Sequence, residues 1–564
     1  MLTFSDFLKQ HYERNPAQVS VFILHSGRPD RPVTYRELMF GAMGYVRTYQ
    51  KNGIQPGEVV ILILQHGIDL LYAYFGAILY GAIPSIMPFL TEKLLPERYH
   101  ADLAALVEVT KPTAIVTYPE FEHDVRAAVK PGEDSIKAVI VSNQVDNPSE
   151  PDFAVFGGLQ RKPEDIVLLQ HSSGTTGLQK GVALSHQAVI NQLNDYSEVI
   201  KMQPDDVFVS WLPLYHDMGL IACWLMPILL GRPLVIMSPF EWIRAPYRLL
   251  QAVSRYKGTL SWLPNFAFNF CAQKIRERDL EGVDLSSWRA ISNCSEPMRW
   301  DSLQAFYERF KKQGLHQEAL VTCYAMAENV FAVTQGGMNG PVDYEDIDRD
   351  SLQIEKVAGP AMLNKPYVRM LGAGKPIPNT TVRILDARGH PLPDRAVGEV
   401  VLKSDCMLTG YYHRQDATEK AFTNGWYLTG DFGYLVDGEL YITGRKKDLI
   451  IVGGKNIFPQ DLEQLAYEVP GIHAGRASAF GVFNDITGTE DVVLVAEVET
   501  SDMIKRQKIA EEVRTTITRG SAVALRYVHL VDTHWLVKTS SGKTARSANR
   551  EKFLDEMQAK GQKF

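Results

Sequence analysis

The most apolar part of the chain, residues 59–89, restricts the fold class because it follows the pattern strand, helix, strand. Residues 59–64 are a continuous apolar run typical of a buried parallel strand, residues 70–80 have helical spacing, and residues 83–87 return to a strand pattern. Polar residues and prolines interrupt this stretch, so it lacks the roughly 20 uninterrupted apolar residues of a membrane-spanning helix. The pattern predicts a βαβ unit, and therefore an α/β protein without a transmembrane segment.

The same alternation continues along the chain and then changes. Short apolar runs at residues 114–117, 138–141, 166–170 and 233–237 are typical of further buried strands. From about residue 381 short strands and turns predominate, which indicates a β subdomain. Because 564 residues exceed one ordinary core, we expect an N-terminal domain of residues 1–446 with layered α/β subdomains and this β subdomain, followed by a small α/β C-terminal domain of residues 447–564.

Composition narrows the function class and the compartment. The net charge of −7 argues against a protein dominated by nucleic-acid binding. The five cysteines are widely spaced and include no CxxC pair, so they indicate neither a disulfide framework nor a zinc site. Since the amino terminus also lacks a basic segment followed by an apolar core, we expect a cytoplasmic protein.

A loop rich in hydroxyls and glycines follows the apolar run at 166–170. It contains the residues Ser172, Ser173, Gly174, Thr175, Thr176, Gly177 and Lys180. Glycines let backbone N–H groups face an anion, the hydroxyls add donors, and the lysine adds positive charge, so the loop is suited to hold phosphate. It is not a P-loop, because Lys180 is followed by Gly181 and not by a hydroxyl residue that could reach magnesium. A plain surface turn is the alternative for this run taken alone.

Four further motifs occur downstream of this loop. They are Tyr-Ala-Met-Ala-Glu at 324–328, Tyr-Leu-Thr-Gly-Asp at 427–431, Gly-Arg-Lys-Lys-Asp at 444–448 and Ser-Gly-Lys-Thr at 541–544. With the loop, they closely resemble the ordered motifs of the acyl-adenylate-forming superfamily, which activates carboxylic acids with ATP and Mg²⁺. The resemblance spans the chain from Ser172 to Lys543. It implies a large N-terminal domain and a mobile C-terminal lid that turns about a hinge at Lys447.

The resemblance also implies a role for each residue of the motifs. Lys543 would offset the repulsion between the substrate carboxylate and the α-phosphate, and Glu328 would bind magnesium. The nucleotide would contact the phosphate loop, including Lys180, and a second group of residues: Ser295, Glu296, Tyr324, Ala325, Asp431, Ile442 and Arg445. Ala325 stands where the family usually has glycine, and Cys294-Ser295 replace Gly-Ala, so contacts around the adenine are expected to differ.

Three features resemble the fatty acyl-AMP ligase branch, whose usual acceptor is the phosphopantetheine thiol of an acyl carrier protein. They are the Trp-Leu-Pro and His-Asp-Met-Gly pattern within residues 210–221, the Pro-Asn-Phe-Ala-Phe element at 264–268, and the segment 336–378. By composition that segment is a solvated surface insertion, whereas its position matches the insertion that is thought to disfavour the use of CoA. The acceptor predicted from the resemblance is a carrier protein.

The acyl substrate is expected to contact His216, Asp217, Met218, Trp262 and Phe268. Trp262 occupies a position where the family usually has a small residue. Its indole would fill part of an acyl tunnel and favour a short, medium or otherwise unusual chain, or it would simply pack in the core. Acyl-CoA synthetase, an adenylation enzyme for an aryl or amino acid, and an inactive nucleotide-binding scaffold remain the alternatives.

Overall fold

The computed structural model describes residues 2–89, 96–130, 134–171, 180–452, 455–484, 489–521, 523–539 and 542–560. The α-helices of these residues are α1 (Phe4–Arg14), α2 (Tyr35–Lys51), α3 (Ile68–Tyr80), α4 (Pro96–Thr110), α5 (Glu122–Ala128), α6 (His186–Val199), α7 (Met226–Leu229), α8 (Pro239–Arg244), α9 (Tyr247–Tyr256), α10 (Asn265–Lys274), α11 (Trp300–Phe310), α12 (Gln415–Lys420), α13 (Pro459–Tyr467), α14 (Met503–Ser521) and α15 (Arg546–Ala559).

The strands of the same residues are β1 (Val19–Leu24), β2 (Arg31–Thr34), β3 (Val59–Ile63), β4 (Ile83–Ile86), β5 (Ala114–Thr117), β6 (Ala138–Val141), β7 (Ile166–His171), β8 (Gly181–Ser185), β9 (Phe208–Ser210), β10 (Leu234–Met237), β11 (Leu260–Leu263), β12 (Ala290–Asn293), β13 (Leu320–Ala325), β14 (Ala332–Gly336), β15 (Tyr344–Asp348), β16 (Tyr367–Leu371), β17 (Lys375–Pro376), β18 (Thr380–Leu385), β19 (Gly398–Ser404), β20 (Gly410–Tyr411), β21 (Phe422–Thr423), β22 (Trp426–Val436), β23 (Glu439–Arg445), β24 (Ile450–Val452), β25 (Lys455–Ile457), β26 (Ala477–Asn484), β27 (Thr489–Glu497) and β28 (Leu525–Val531).

The predicted βαβ unit is confirmed as β3, α3 and β4. β3 is buried along its whole length, as its continuous apolar run predicts, and pairs in parallel with β4 and β5. The helix begins two residues before the predicted start and ends at Gly81, whose φ of 91° is left-handed and suits a glycine. These strands form a parallel sheet in the order β4-β3-β5-β6. The other predicted strands are also present, so the α/β prediction is confirmed.

A larger sheet positions most of the candidate site. Its order is β17-β14-β13-β12-β11-β9-β10-β1-β2, and the strands from β13 to β1 run parallel. Parallel neighbours bring their carboxyl ends to one edge of the sheet, where α/β proteins bind ligands. The segments that follow β9, β11, β12 and β13 therefore lie close together.

The segment 336–378 is a folded unit, and this differs from the solvated loop that its composition indicates. Within it, β15 pairs with β16, and Arg369 donates hydrogen bonds of 2.7 Å to both carboxylate oxygens of Asp346. Its apolar side packs Ile347, Leu352 and Ala358 against Tyr434 and Tyr441 of β22 and β23. Both ends of the predicted segment belong to the large sheet, because β14 ends at Gly336 and pairs with β17.

Residues from 450 onward have hydrophobic clusters of their own. Alternate residues of β27 point to opposite faces of the β26-β27-β28 sheet. One face, with Leu494, packs with α13 and α14, and the other, with Val493 and Val495, packs against Phe553 of α15. This is the small α/β C-terminal unit that the sequence predicts. No helix among the described residues is long and apolar enough to cross a membrane.

Candidate active site

The predicted phosphate loop is described only at its last residue. Ser172, Ser173, Gly174, Thr175, Thr176 and Gly177 lie outside the described residues. Lys180 precedes β8, and its Nζ lies 4.6 Å from the centre of the Tyr411 ring. Tyr411 belongs to β20, which pairs with β8, so the sheet itself brings this ring to the end of the loop.

The predicted ribose residues meet on two paired strands and the end of a third. Asp431 of β22 lies directly across from Arg445 of β23, and Arg445 Nε is 3.3 Å from Asp431 Oδ1. The Tyr324 hydroxyl, near the end of β13, donates to Asp431 Oδ2 at 2.6 Å. The charge of Asp431 is the main reason why the pKa of Arg445 is raised. A buried carboxylate held on both oxygens has a fixed orientation, which suits recognition of a pair of sugar hydroxyls.

Ala325 and Ile442 flank this group. Ala325 is the last residue of β13, where a bulge interrupts the pairing with β14. Ile442 lies on β23, opposite Gly433 of β22. Both side chains are half-buried, so they add apolar surface beside Tyr324.

Glu328 lies in a short 3-10 helix just after β13, followed by a strained turn. Val330 has φ 63° and ψ −57°, and the Phe331 N–H donates to Asn329 O at 2.6 Å, which defines a γ-turn. A β-branched residue rarely adopts such a conformation, and strain of this kind concentrates at functional sites. The Tyr411 hydroxyl donates to Glu328 Oε1 at 2.9 Å. Burial raises the pKa of the Glu328 carboxyl.

Lys543 lies in a turn whose ends are closed by hydrogen bonds. The Thr539 N–H donates to Lys543 O at 2.8 Å, and the Lys543 N–H donates to Thr539 Oγ1 at 3.1 Å. Burial lowers the pKa of the Lys543 ammonium and the charge of Arg445 lowers it further, whereas the carboxylates of Asp217 and Glu296 oppose both effects. The lysine of the C-terminal unit therefore acts within the electrostatic field of the large sheet's carboxyl edge.

His216, Asp217 and Met218 follow β9 at that edge. His216 Nδ1 lies 2.6 Å from Asp217 Oδ1, and the Met218 N–H donates to the same oxygen at 2.7 Å. Burial acts to raise the pKa of Asp217, but His216, Lys543 and the Met218 N–H together lower it. Asp217 is thus held as a buried anion whose charge is stabilised by the lysine.

Ser295 and Glu296 follow β12, which is separated from β9 in the sheet by β11. Ser295 adopts a left-handed conformation, with φ 69°, and its Oγ is 3.8 Å from Met218 Sδ. Glu296 Oε2 accepts from the Phe266 N–H at 3.0 Å, and Phe266 follows β11. Burial raises the pKa of Glu296, although Lys543 and Lys538 act in the opposite direction. Three neighbouring strands thus supply polar groups to one place.

Comparison with known proteins shows the family of the chain. The family model described as AMP-binding enzyme matches residues 8–412. The chain belongs to the family of AMP-binding enzymes. The resemblance to the acyl-adenylate-forming superfamily is therefore confirmed.

The similar proteins also fall within this superfamily. A medium-chain-fatty-acid–[acyl-carrier-protein] ligase, JamA of Moorena producens, is 28% identical over 580 residues, which cover 98% of this chain and 95% of the relative. A Caulobacter vibrioides protein named provisionally as an acyl-CoA synthetase is 29% identical over 528 residues, covering 92% and 90%. A solved structure from a study of fatty acyl-adenylate ligases of E. coli and L. pneumophila superposes with a TM-score of 0.90 at 28% identity, covering 99% of this chain and 98% of that one.

Trp262 and Phe268, two of the predicted acyl-contact residues of this AMP-binding enzyme, lie in the core. Trp262 is 2% exposed, stacks on Phe208 with ring centres 5.6 Å apart, and donates from Nε1 to the Tyr196 hydroxyl at 2.9 Å. Phe268 is fully buried on α10 and contacts Phe306 edge-on at 5.2 Å. Trp262 lies on β11, directly before the carboxyl edge, while Phe268 lies in the packing between α10 and α11. The acyl contact of each residue stays a prediction.

The predicted hinge, Lys447, lies in a short 3-10 helix between β23 and β24. Burial lowers its pKa, and Arg445 adds to that effect. The next residue, Asp448, accepts from Arg546 Nη1 at 3.0 Å, and Arg546 also donates to both oxygens of Glu463. Arg546 therefore ties α15, which follows the Lys543 turn, to the segment of the predicted hinge.

The sequence motifs do not include Tyr411, although it contacts two of the predicted residues. Its hydroxyl reaches Glu328, its ring faces Lys180, and only 7% of its surface is exposed. A Gly-Tyr-Tyr run far from both partners in the chain gives no hint of this role, because the contact depends on the pairing of β20 with β8.

Proposed function

We propose that this protein uses ATP to activate a fatty acid or a related carboxylic acid as acyl-AMP. It then transfers the acyl group to the phosphopantetheine thiol of an acyl carrier protein. The observation that supports the first step most strongly is the position of Lys543, whose ammonium lies in the field of Asp217 and Glu296 and of the nucleotide-side Arg445. A fixed cation at the junction of acid and nucleotide is what adenylation requires.

In the first half-reaction a carboxylate oxygen attacks the α-phosphorus of ATP. The bond between that phosphorus and the bridging oxygen breaks, and pyrophosphate leaves with the electron pair. Two anions must approach each other in this step, so the Lys543 ammonium lowers the barrier by offsetting their charge. Because a fatty carboxyl is already ionised at neutral pH, no general base is needed, so His216 is assigned to substrate or phosphate contact and also holds Asp217.

The residues around Glu328 fit a magnesium ion. Glu328 is a half-buried hard-oxygen ligand that forms no salt bridge with any residue in the described part of the chain, and burial raises its pKa. A divalent cation would compensate this charge and neutralise the triphosphate. Tyr411 donates to Oε1, which orients the carboxylate that would bind the cation.

In the second half-reaction the thiol sulfur attacks the acyl carbon, AMP leaves, and a thioester forms. JamA is named for a carrier-protein ligase, and this supports a carrier protein as acceptor. The folded 336–378 segment supports the same acceptor, since it occupies the position of the branch's insertion. The name of the Caulobacter relative keeps acyl-CoA synthetase as the second candidate.

An amino-acid substrate is disfavoured by the bonds of Asp217. This carboxylate is the candidate partner for an α-ammonium, but His216 and the Met218 N–H already hold it. The charge of Lys543 also stabilises its ionised form.

The test is a panel of fatty, aryl and amino acids incubated with ATP and Mg²⁺, followed by a carrier protein in its phosphopantetheine form or by CoA. We expect acyl-AMP from a fatty acid and faster acyl transfer to the carrier. Faster transfer to CoA would replace the proposed acceptor, and acid-dependent pyrophosphate release absent for every acid would overturn adenylation. Deleting the whole 336–378 segment is a poor test, because it would expose the cluster containing Tyr434 and Tyr441.

A further inference from the structure

Tyr411 lies between two parts of the nucleotide site that are distant in the chain. It is the second residue of β20, which pairs with β8 so that Tyr411 lies opposite Val182. The phosphate loop ends at Lys180, two residues before Val182. Glu328, by contrast, follows β13 of the large sheet. Tyr411 therefore links the β20-β8-β7 sheet, which adjoins the end of the phosphate loop, to the end of β13.

The hydroxyl of Tyr411 is the middle of a chain of two hydrogen bonds. It donates to Glu328 Oε1 at 2.9 Å, and it lies 3.0 Å from the Tyr427 hydroxyl. A tyrosine hydroxyl has one proton, so with Tyr411 donating to Glu328, Tyr427 must donate to Tyr411. The chain runs from Tyr427 through Tyr411 to the carboxylate and leaves Glu328 one oriented oxygen.

The ring of Tyr411 makes a separate contact. Lys180 Nζ lies 4.6 Å from the ring centre, a cation–π distance. Such a contact restrains the direction of the ammonium without neutralising it, so its charge remains available to a phosphate. A backbone contact adds to the link, since the Leu408 N–H, three residues before Tyr411, donates to Glu328 O at 2.8 Å.

We propose that Tyr411 is a positioning residue that fixes Glu328 through its hydroxyl and Lys180 through its ring, which sets the distance between the metal ligand and the loop cation. This inference rests on the proposed ATP site. Its physical reason is preorganisation: a metal ligand and a phosphate cation held by a rigid neighbour lose little freedom when the metal–nucleotide complex binds.

The two contacts can be separated by substitution. Tyr411→Phe removes the hydroxyl and keeps the ring, whereas Tyr411→Leu removes both. Tyr427→Phe removes only the second bond of the chain, so its effect on Glu328 must pass through Tyr411. Tyr74→Phe is the matched control, because the Tyr74 hydroxyl is buried and has no hydrogen-bond partner among the residues the structure describes.

Binding is measured without an acid substrate, in two titrations. Mn²⁺ binding to the ATP complex is followed by electron paramagnetic resonance, and ATP binding in excess EDTA is followed by calorimetry. We expect Tyr411→Phe to weaken Mn²⁺ binding about 10-fold, the effect of losing a hydrogen bond to a charged group, with metal-free ATP binding unchanged. Tyr411→Leu should also weaken metal-free ATP binding about 2- to 5-fold.

Tyr427→Phe should weaken Mn²⁺ binding by a smaller factor, and Tyr74→Phe should change neither titration. Equal Mn²⁺ affinity in Tyr411→Phe and wild type would overturn the inference, as would equal effects of Tyr411→Phe and Tyr411→Leu on metal-free ATP. If both Tyr411 variants lose their thermal unfolding transition, the result with Tyr427→Phe decides. These titrations contain no acid and therefore do not depend on acyl-AMP formation. If the wild type binds Mn²⁺ and ATP here but forms no acyl-AMP in the separate panel of acids, the proposed function is contradicted and this inference stands.

Discussion

Replacing Trp262 by alanine tests whether its indole limits the acyl chain. The indole is 2% exposed, lies on β11 beside the carboxyl edge of the sheet, and is held by Phe208 and the Tyr196 hydroxyl. Removing it opens a void where a longer chain could continue. Each buried methylene contributes about 0.8 kcal/mol, so two further methylenes should raise kcat/KM for the longer acid about 15-fold relative to the shorter one.

The same substitution destabilises the fold, so the experiment needs a control of equal size. A buried tryptophan replaced by alanine costs about 3–5 kcal/mol of unfolding free energy. Trp288 is also fully buried, and its Nε1 donates to Ser261 Oγ at 3.1 Å. Ser261 and Trp262 are consecutive in β11, so they point to opposite faces of the sheet. Trp288→Ala should therefore lower stability without changing chain-length preference.

The assay is pyrophosphate release with saturated acids that differ by two methylenes, at a temperature where both variants are folded. The reasoning is refuted if Trp262→Ala keeps the wild-type profile of kcat/KM against chain length. It is equally refuted if Trp288→Ala shifts that profile to the same extent. Either result would leave Trp262 as a core residue.

Three further outcomes follow from the site. Lys543→Ala should slow acyl-AMP formation about 100- to 1,000-fold with little change in ATP affinity. Lys505→Ala, at an exposed lysine of the same unit, should not slow it. Equal rates of acyl-AMP formation in the two variants would contradict the role of Lys543. The pH profile of kcat/KM should be a bell, because in the free enzyme Glu328 must be ionised and its pKa is raised by burial, whereas Lys543 must be protonated and its pKa is lowered by burial. Acidic and basic limbs at the ordinary values of free Glu and Lys would count against this. Arg546→Met should lower the unfolding free energy by about 3–5 kcal/mol in thermal denaturation, since it leaves buried acids unpaired, and an unchanged Tm would show that the ion pairs contribute nothing.

Short apolar runs in the sequence are sufficient to predict the buried parallel strands. Residues 59–63 are all apolar, and a short continuous run of this kind is typical of a strand covered on both faces. The strands at 114–117 and 138–141 were predicted with the bounds that the structure has, for the same reason. Parallel pairing then follows from the helices between them.

Contacts between distant segments were beyond the reach of pattern. Tyr411 contacts Glu328 only because β20 returns to pair with β8, and nothing in the Gly-Tyr-Tyr run specifies that return. The composition of the segment 336–378 indicates a solvated loop, because composition does not show which partners the acidic residues have. In the structure, Asp346 pairs with Arg369 and Glu345 with Arg395, so these charges are part of its packing.

The resemblance to a family predicts that the motif residues lie close together in the fold, which their spacing along the chain does not predict. Asp431 and Arg445 lie on two consecutive antiparallel strands, β22 and β23. Only the register of these strands brings the two residues opposite each other. Phe268 belongs to a recognisable element, and its side chain packs on Phe306 between two helices. Its acyl contact stays a prediction.

The most direct test of the account is mass spectrometry of a reaction containing the wild-type protein, ATP, Mg²⁺ and fatty acids of different length. We expect an acyl-AMP mass that depends on the acid, together with equimolar pyrophosphate, and the loss of both in Lys543→Ala. Pyrophosphate or AMP formed at the same rate without any acid, or no product with every acid, would contradict it.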